Sequence, residues 1–139
     1  MEQIEVDIRV PNQTRYLGLI GKIGEDIART LKRYKGDREE LAYQINLVLT
    51  EAMTNAIRHA NEDDPDKEVH ITITIKNRNL SIKVYDEGQG FDISTFPGPD
   101  FKNLDDHGRG VYIIRTLMDH VSYSKQNGGH VLEMEKNLN

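Results

Sequence analysis

Three groups of residues in this 139-residue chain have types and spacings suited to chemistry. The first is Glu51 with Asn55. Residues four apart on a helix are neighbours on its surface. An Asn carbonyl oxygen is a hard ligand suited to Mg²⁺, and a Glu one turn earlier can accept a proton or orient a nucleophile. The second is Asp86-Glu87-Gly88-Gln89-Gly90-Phe91-Asp92. A carboxylate where a strand leaves its sheet can accept a hydrogen bond from an exocyclic amine such as that of adenine, and Gly88 and Gly90 allow close backbone approach. The third is Gly108-Arg109-Gly110 ahead of Val111-Tyr112-Ile113-Ile114. Glycines opening a helix leave free N–H groups at its positive end, which suits phosphate, and Arg109 adds a charged donor. Each group alone is ordinary: a polar pair on a helix flank, a tight turn, a glycine-rich cap. In this order, each supplies a different part of a Mg–nucleotide site.

Elements of regular structure must hold these groups. Ile4, Val6, Ile8 and Val10 alternate with polar residues, as in a half-buried strand, and Pro11 and Asn12 end it. Leu17, Ile20, Ile23, Ile27 and Leu31 give an amphipathic helix over 14–34. Asp37 followed by Glu40 reads as a helix start, and the stripe Leu41, Ile45, Val48, Leu49, Ala52, Met53 and Ala56 carries a second helix to about Ala60. Glu51 and Asn55 lie on the flank of that stripe. Alternation over 69–75 and 80–84 predicts a hairpin across Asn77-Arg78-Asn79. Residues 86–110 read as a long loop, of a kind that is usually functional or disordered. A third helix is predicted from about Gly110 to Asp119, then a hairpin over 121–126 and 130–136 across Asn127-Gly128-Gly129. The order β-α-α-β-β-loop-α-β-β predicts one α+β domain over 1–139: a two-layer sandwich, its mixed and mostly antiparallel sheet covered on one face by three helices.

Composition removes several alternatives. The chain has no Cys, which excludes disulfide scaffolds, thiol catalysis and cysteine zinc sites. The five histidines show no ligand spacing on a shared element, so no zinc site is expected. A net charge of −5 without a basic run argues against direct nucleic-acid binding. No apolar run approaches a membrane span, and the N-terminus does not read as a signal peptide. A cytoplasmic protein is expected.

At the level of motifs the chain resembles the GHKL ATPase superfamily, which shares the Bergerat ATP-binding fold. The stretch from Glu51 to Ala60 resembles its N box, Asp86 to Asp92 its first glycine box, and Gly108-Arg109-Gly110 its second. Within that group the chain is most similar to bacterial anti-sigma-factor serine kinases, with Leu117-Met118-Asp119 and the closing Asn-Gly-Gly turn in their style. The resemblance implies ATP and Mg²⁺ as cofactors. It implies that Asn55 ligates Mg²⁺, Glu51 acts as general base or orients the attacking hydroxyl, and Asp86 binds the adenine amine. Gly88 and Gly90 would shape the adenine pocket, and Gly108, Arg109 and Gly110 would contact phosphates as a lid. It further implies a serine on a STAS-type anti-anti-sigma protein as substrate, sequestration of a sigma factor, and a homodimer. Two positions depart from the pattern. Asp106 and His107 stand where some members carry a basic residue, and His130 stands where many carry a Thr that helps bind adenine, so no adenine role is read at His130. A regulator that binds ATP without turnover is the second reading. The catalytic part of a histidine kinase is the third, because no helical phosphoacceptor module precedes the N-box helix.

Overall fold

The computed structural model describes residues 3–88 and 106–139, with the backbone alone for 106–109. Five strands form one sheet in the order β1-β2-β3-β5-β4. They are β1 (Ile4–Pro11), β2 (Glu68–Lys76), β3 (Asn79–Asp86), β4 (His120–Gln126) and β5 (Gly129–Asn137). All four pairings are antiparallel, so the parallel partner that a mixed sheet allows for is not among the described strands. Helices α1 (Leu17–Thr30), α2 (Arg38–Asn55) and α3 (Asp106–Leu117) make the second layer. The result is an α+β sandwich with an open antiparallel sheet.

Alternation in the sequence decides which face of the sheet is covered. Val69, Ile71, Ile73 and Ile75 of β2 and Leu80, Ile82 and Val84 of β3 are buried, while the residues between them are half-buried on the open face. The register pairs Ile71 with Val84 and Ile73 with Ile82, so the apolar rows of both strands meet the helices together. Asn77 and Arg78, at φ of 53° and 62°, make the tight turn of that hairpin. On the helix side, Leu41, Ile45, Val48, Leu49, Ala52 and Met53 of α2 are all buried. This helix is therefore the spine of the second layer, and residues on its flank are held by a packed core.

Asp37 starts α2 by accepting hydrogen bonds from the N–H groups of Glu39 and Glu40, at 2.9 and 3.3 Å. Arg29 ties α1 to this end: its guanidinium donates to both oxygens of Glu39, at 2.9 and 3.1 Å, and to Glu25 at 3.1 Å. The hydrogen bond from Arg29 holds the Glu39 carboxyl below its ordinary pKa. The first helix is shorter than its periodicity predicts. A 3₁₀ turn occupies Thr14–Tyr16, and Leu31 is already extended. Leu31 is nonetheless fully buried, so an apolar residue at helical spacing reached the core without belonging to the helix.

The second helix runs to Ala60 as predicted, but its final turn is a π-helix over Ala56–Ala60. The Asn61 N–H donates to the Ala56 carbonyl five residues back, at 2.8 Å. The third helix begins at Asp106, a turn earlier than predicted. Gly108 and Gly110 therefore lie inside it. Only the first four N–H groups of a helix lack an internal partner, so the Gly110 amide is not among those available to an anion.

Candidate functional site

The Glu51–Asn55 pair lies on the last two turns of α2, where the helix passes beneath α3. Gly110 of α3 faces Glu51 so closely that a Cβ there would lie 2.5 Å from Glu51 Oε2. Val111 and Ile114, both 1% exposed, anchor α3 in the core behind this contact. The second glycine motif and the Glu of the first motif are thus brought together across a close helix crossing, where a side chain at residue 110 would have to displace the Glu51 carboxylate.

Asn55 is the last residue of α2 and is buried, with 2% exposure. Its Nδ2 is buried without a hydrogen-bond partner among the described residues. An unpaired buried amide costs about 1–3 kcal/mol. That cost, at the start of a π-turn, a feature frequent at functional sites, makes Asn55 a candidate site residue.

The π-turn delivers Asn61 beneath the first glycine motif. Asn61 is fully buried. Its Oδ1 accepts from the Glu87 N–H at 2.9 Å, and its Nδ2 donates to Asn12 Oδ1 at 3.0 Å. Asn12 in turn donates from Nδ2 to the Asp64 carbonyl at 3.0 Å. The chain leaving β3 is thereby tied to the end of α2 and to the end of β1. Gly88 packs directly on the Ala60 carbonyl, where any Cβ would overlap the backbone. Asn12 and Asn61 were not legible as site residues. Asn12 reads as a strand terminator, and a single Asn after a helix carries no periodic signal.

Asp86 ends β3 with 6% exposure. Its Oδ1 accepts from the Gly88 N–H at 3.0 Å and its Oδ2 from the Tyr123 hydroxyl at 2.8 Å. Gly129 of β5 lies against the Asp86 carbonyl, again without room for a Cβ. Beside it, Gly88, Lys125, Gly128, Gly129 and His130 line an open hollow of 340 Å³. Asp86 therefore lies next to a concave surface lined by Gly88 of the first glycine motif and by the last hairpin. Tyr123 is a third residue that the sequence did not flag, because in β4 it follows ordinary alternation.

The structure places Glu51 and Asn55 at the end of α2, with Gly110 of α3 against Glu51, and Asp86 and Gly88 at the exit of β3, with Gly88 against Ala60 of the π-turn that follows Asn55. Gly108 and Arg109 lie on the backbone of the first turns of α3. Gly90 falls outside the described residues.

Residues 14–136 match the histidine kinase-like ATPase domain family. The chain belongs to this family, within the GHKL superfamily. It is 30% identical over 142 aligned positions to the serine-protein kinase RsbW of Bacillus subtilis, covering 96% of this chain and 86% of that protein. It is 35% identical over 100 positions to the anti-sigma F factor of Anoxybacillus flavithermus, covering 68% of each. These likenesses place it with the anti-sigma-factor kinases. Among solved structures, the histidine kinase domain of a blue-light activated kinase from Erythrobacter litoralis shares the fold, with a TM-score of 0.56 and 20% identity. That likeness covers 93% of this chain and 62% of the other.

Proposed function

We propose that this protein is a Mg-ATP-dependent serine kinase that phosphorylates a STAS-type anti-anti-sigma protein and otherwise sequesters a sigma factor, as a cytoplasmic homodimer. Membership of an ATPase family and likeness to proteins named serine-protein kinase and anti-sigma F factor support the kinase and its class of partner. The observation that carries the reading is the joining of the motifs: Glu51 under Gly110, Asn55 with an unpartnered buried amide, and Asp86 held by Gly88 and Tyr123.

On this reading Asp86 accepts a hydrogen bond from the adenine amine, with Gly88 and Gly90 shaping its surroundings. Backbone N–H groups at the start of α3, with Gly108 and Arg109, meet the phosphates, and Gly110 lets α3 pack close to Glu51. Asn55 holds Mg²⁺. The site fits that ion: the amide end left without a protein partner can carry the oxygen, since the two ends exchange by rotation, and Mg²⁺ takes a few protein oxygens and completes its shell with phosphate and water. When bound, Mg²⁺ offsets charge on the phosphate oxygens. Glu51, one turn before Asn55, orients the attacking serine hydroxyl and accepts its proton. Phosphoryl transfer depends mainly on such positioning and electrostatics.

Titrating ATP into the protein by calorimetry, with and without Mg²⁺ and beside Asn55→Ala, tests the reading. Mg²⁺-dependent binding that the substitution weakens is expected. No binding under any condition would remove the nucleotide site and the kinase with it.

A further inference from the structure

His130 has a buried nitrogen without a hydrogen-bond partner among the described residues. Its Nδ1 lies 3.7 Å from Asp86 Oδ1, just beyond hydrogen-bond reach, and has no other partner among the described residues. His130 and Asp86 are directly opposed in the β3–β5 register, so their side chains leave the sheet on the same face. The imidazole is stacked on the Tyr123 ring, with centroids 5.1 Å apart and planes within 9°. Tyr123 is itself bonded to the other oxygen of the same carboxylate. Two rings that support each other thus approach one carboxylate from β4 and β5, and His130 also lines the hollow beside Gly88.

A carboxylate offers about four lone-pair sites. In Asp86 the Gly88 N–H and the Tyr123 hydroxyl occupy two. We propose that His130 is a positioning residue of the nucleobase subsite: its Nδ1–H is the third donor to Asp86, and it fixes the carboxylate so that the remaining site faces an exocyclic purine amine. The inference rests on the reading that this chain binds ATP through Asp86. Where many members carry a Thr that helps bind adenine, His130 would serve the same subsite through Asp86, as a donor to its carboxylate. A small movement of the imidazole makes the bond and removes the orphaned nitrogen, so filling the hollow and completing the carboxylate's shell favour each other.

The test compares ATP with purine riboside triphosphate, which lacks only the 6-amine, in the presence of Mg²⁺. Dissociation constants are measured for the wild type and for His130→Ala, His130→Asn and His130→Gln. The amide nitrogen of Asn reaches the place of Nδ1, and that of Gln the place of Nε2. The wild type is expected to prefer ATP by about tenfold, the effect of a hydrogen bond to a charged acceptor. His130→Ala and His130→Gln should reduce that preference to about twofold, while His130→Asn retains it. If His130 only fills space, both nucleotides weaken together and the ratio is unchanged in every variant, which overturns the proposal. Should the Ala variant fail to fold, the contrast between Asn and Gln reads the same ratio. A wild type that binds neither nucleotide overturns the ATP reading itself, whereas a wild type that prefers ATP with a ratio indifferent to residue 130 overturns the role of His130 alone.

Discussion

Gly110 of α3 packs on the carboxylate of Glu51 in α2, leaving 2.5 Å between Glu51 Oε2 and the place a Cβ would occupy. The contact joins two motifs separated by 59 positions, and it makes the position of the carboxylate depend on the position of α3. On the proposed reading the contact helps to place Glu51, because general-base catalysis requires hydrogen-bond reach to the attacking hydroxyl.

Glu51→Ala is expected to leave Mg-ATP binding within about twofold and to lower phosphotransfer by roughly 10²–10⁴-fold, the usual contribution of a general base. Calorimetry with ATP and a phosphoserine assay on the partner check the two halves separately. Transfer at the wild-type rate would take Glu51 out of the mechanism.

Asn55→Ala separates function from stability. The buried Nδ2 gives up no protein hydrogen bond when it is removed, so the cost reduces to a small loss of packing. The urea midpoint is expected to move little, by about 1 kcal/mol or less, while Mg²⁺-dependent ATP affinity falls at least tenfold. A large loss of stability with nucleotide affinity intact would make Asn55 a structural residue.

The periodic parts of this structure were legible because they follow from burial. The strand pairs, the stripe of α2 and the order of elements all come from apolar residues at spacings of two or of three and four. Glu51, Asn55 and Asp86 were legible as residue types suited to a task, placed at the ends of those elements. Leu31 misled the length of α1 because burial and helical spacing coincide there without a helix. Gly108 and Gly110 misled the start of α3 because glycine usually marks a helix boundary, and here Gly110 marks a close crossing. The π-turn and the Asn12–Asn61–Glu87 ties were not legible at all. They depend on groups 26 and 49 residues apart meeting, and nothing in local spacing encodes that.

Acid should weaken the clamp between α1 and α2. Hydrogen bonds from Arg29 lower the pKa of Glu39 in the folded chain. A carboxyl with a depressed folded pKa contributes stability that is fully present above its unfolded value, about 4.3, and is lost as pH falls through the folded value. Both groups are at the surface, so the contribution is small. The wild type should exceed Glu39→Gln in urea midpoint at about pH 7, and the gap should close below about pH 4. A gap that stays constant across that range would show that the carboxylate's charge plays no part.

The tie through Asn61 should be the costliest polar contact to lose. Asn61→Ala leaves the Glu87 N–H without its acceptor and Asn12 Oδ1 without its donor. Buried groups left unsatisfied cost about 1–3 kcal/mol, so denaturation in urea should show a loss near 2 kcal/mol. ATP affinity should fall with it, because Glu87 and Gly88 directly follow Asp86, and Gly88 seats on Ala60 at the foot of the same π-turn. Asn12→Ala should cost stability also, but the double variant should cost less than the sum, since each single change strands the partner of the other. Additive losses would mean that Asn12 and Asn61 act independently. In that case the link from the end of β1 to the glycine turn would not be what holds Asp86 in place.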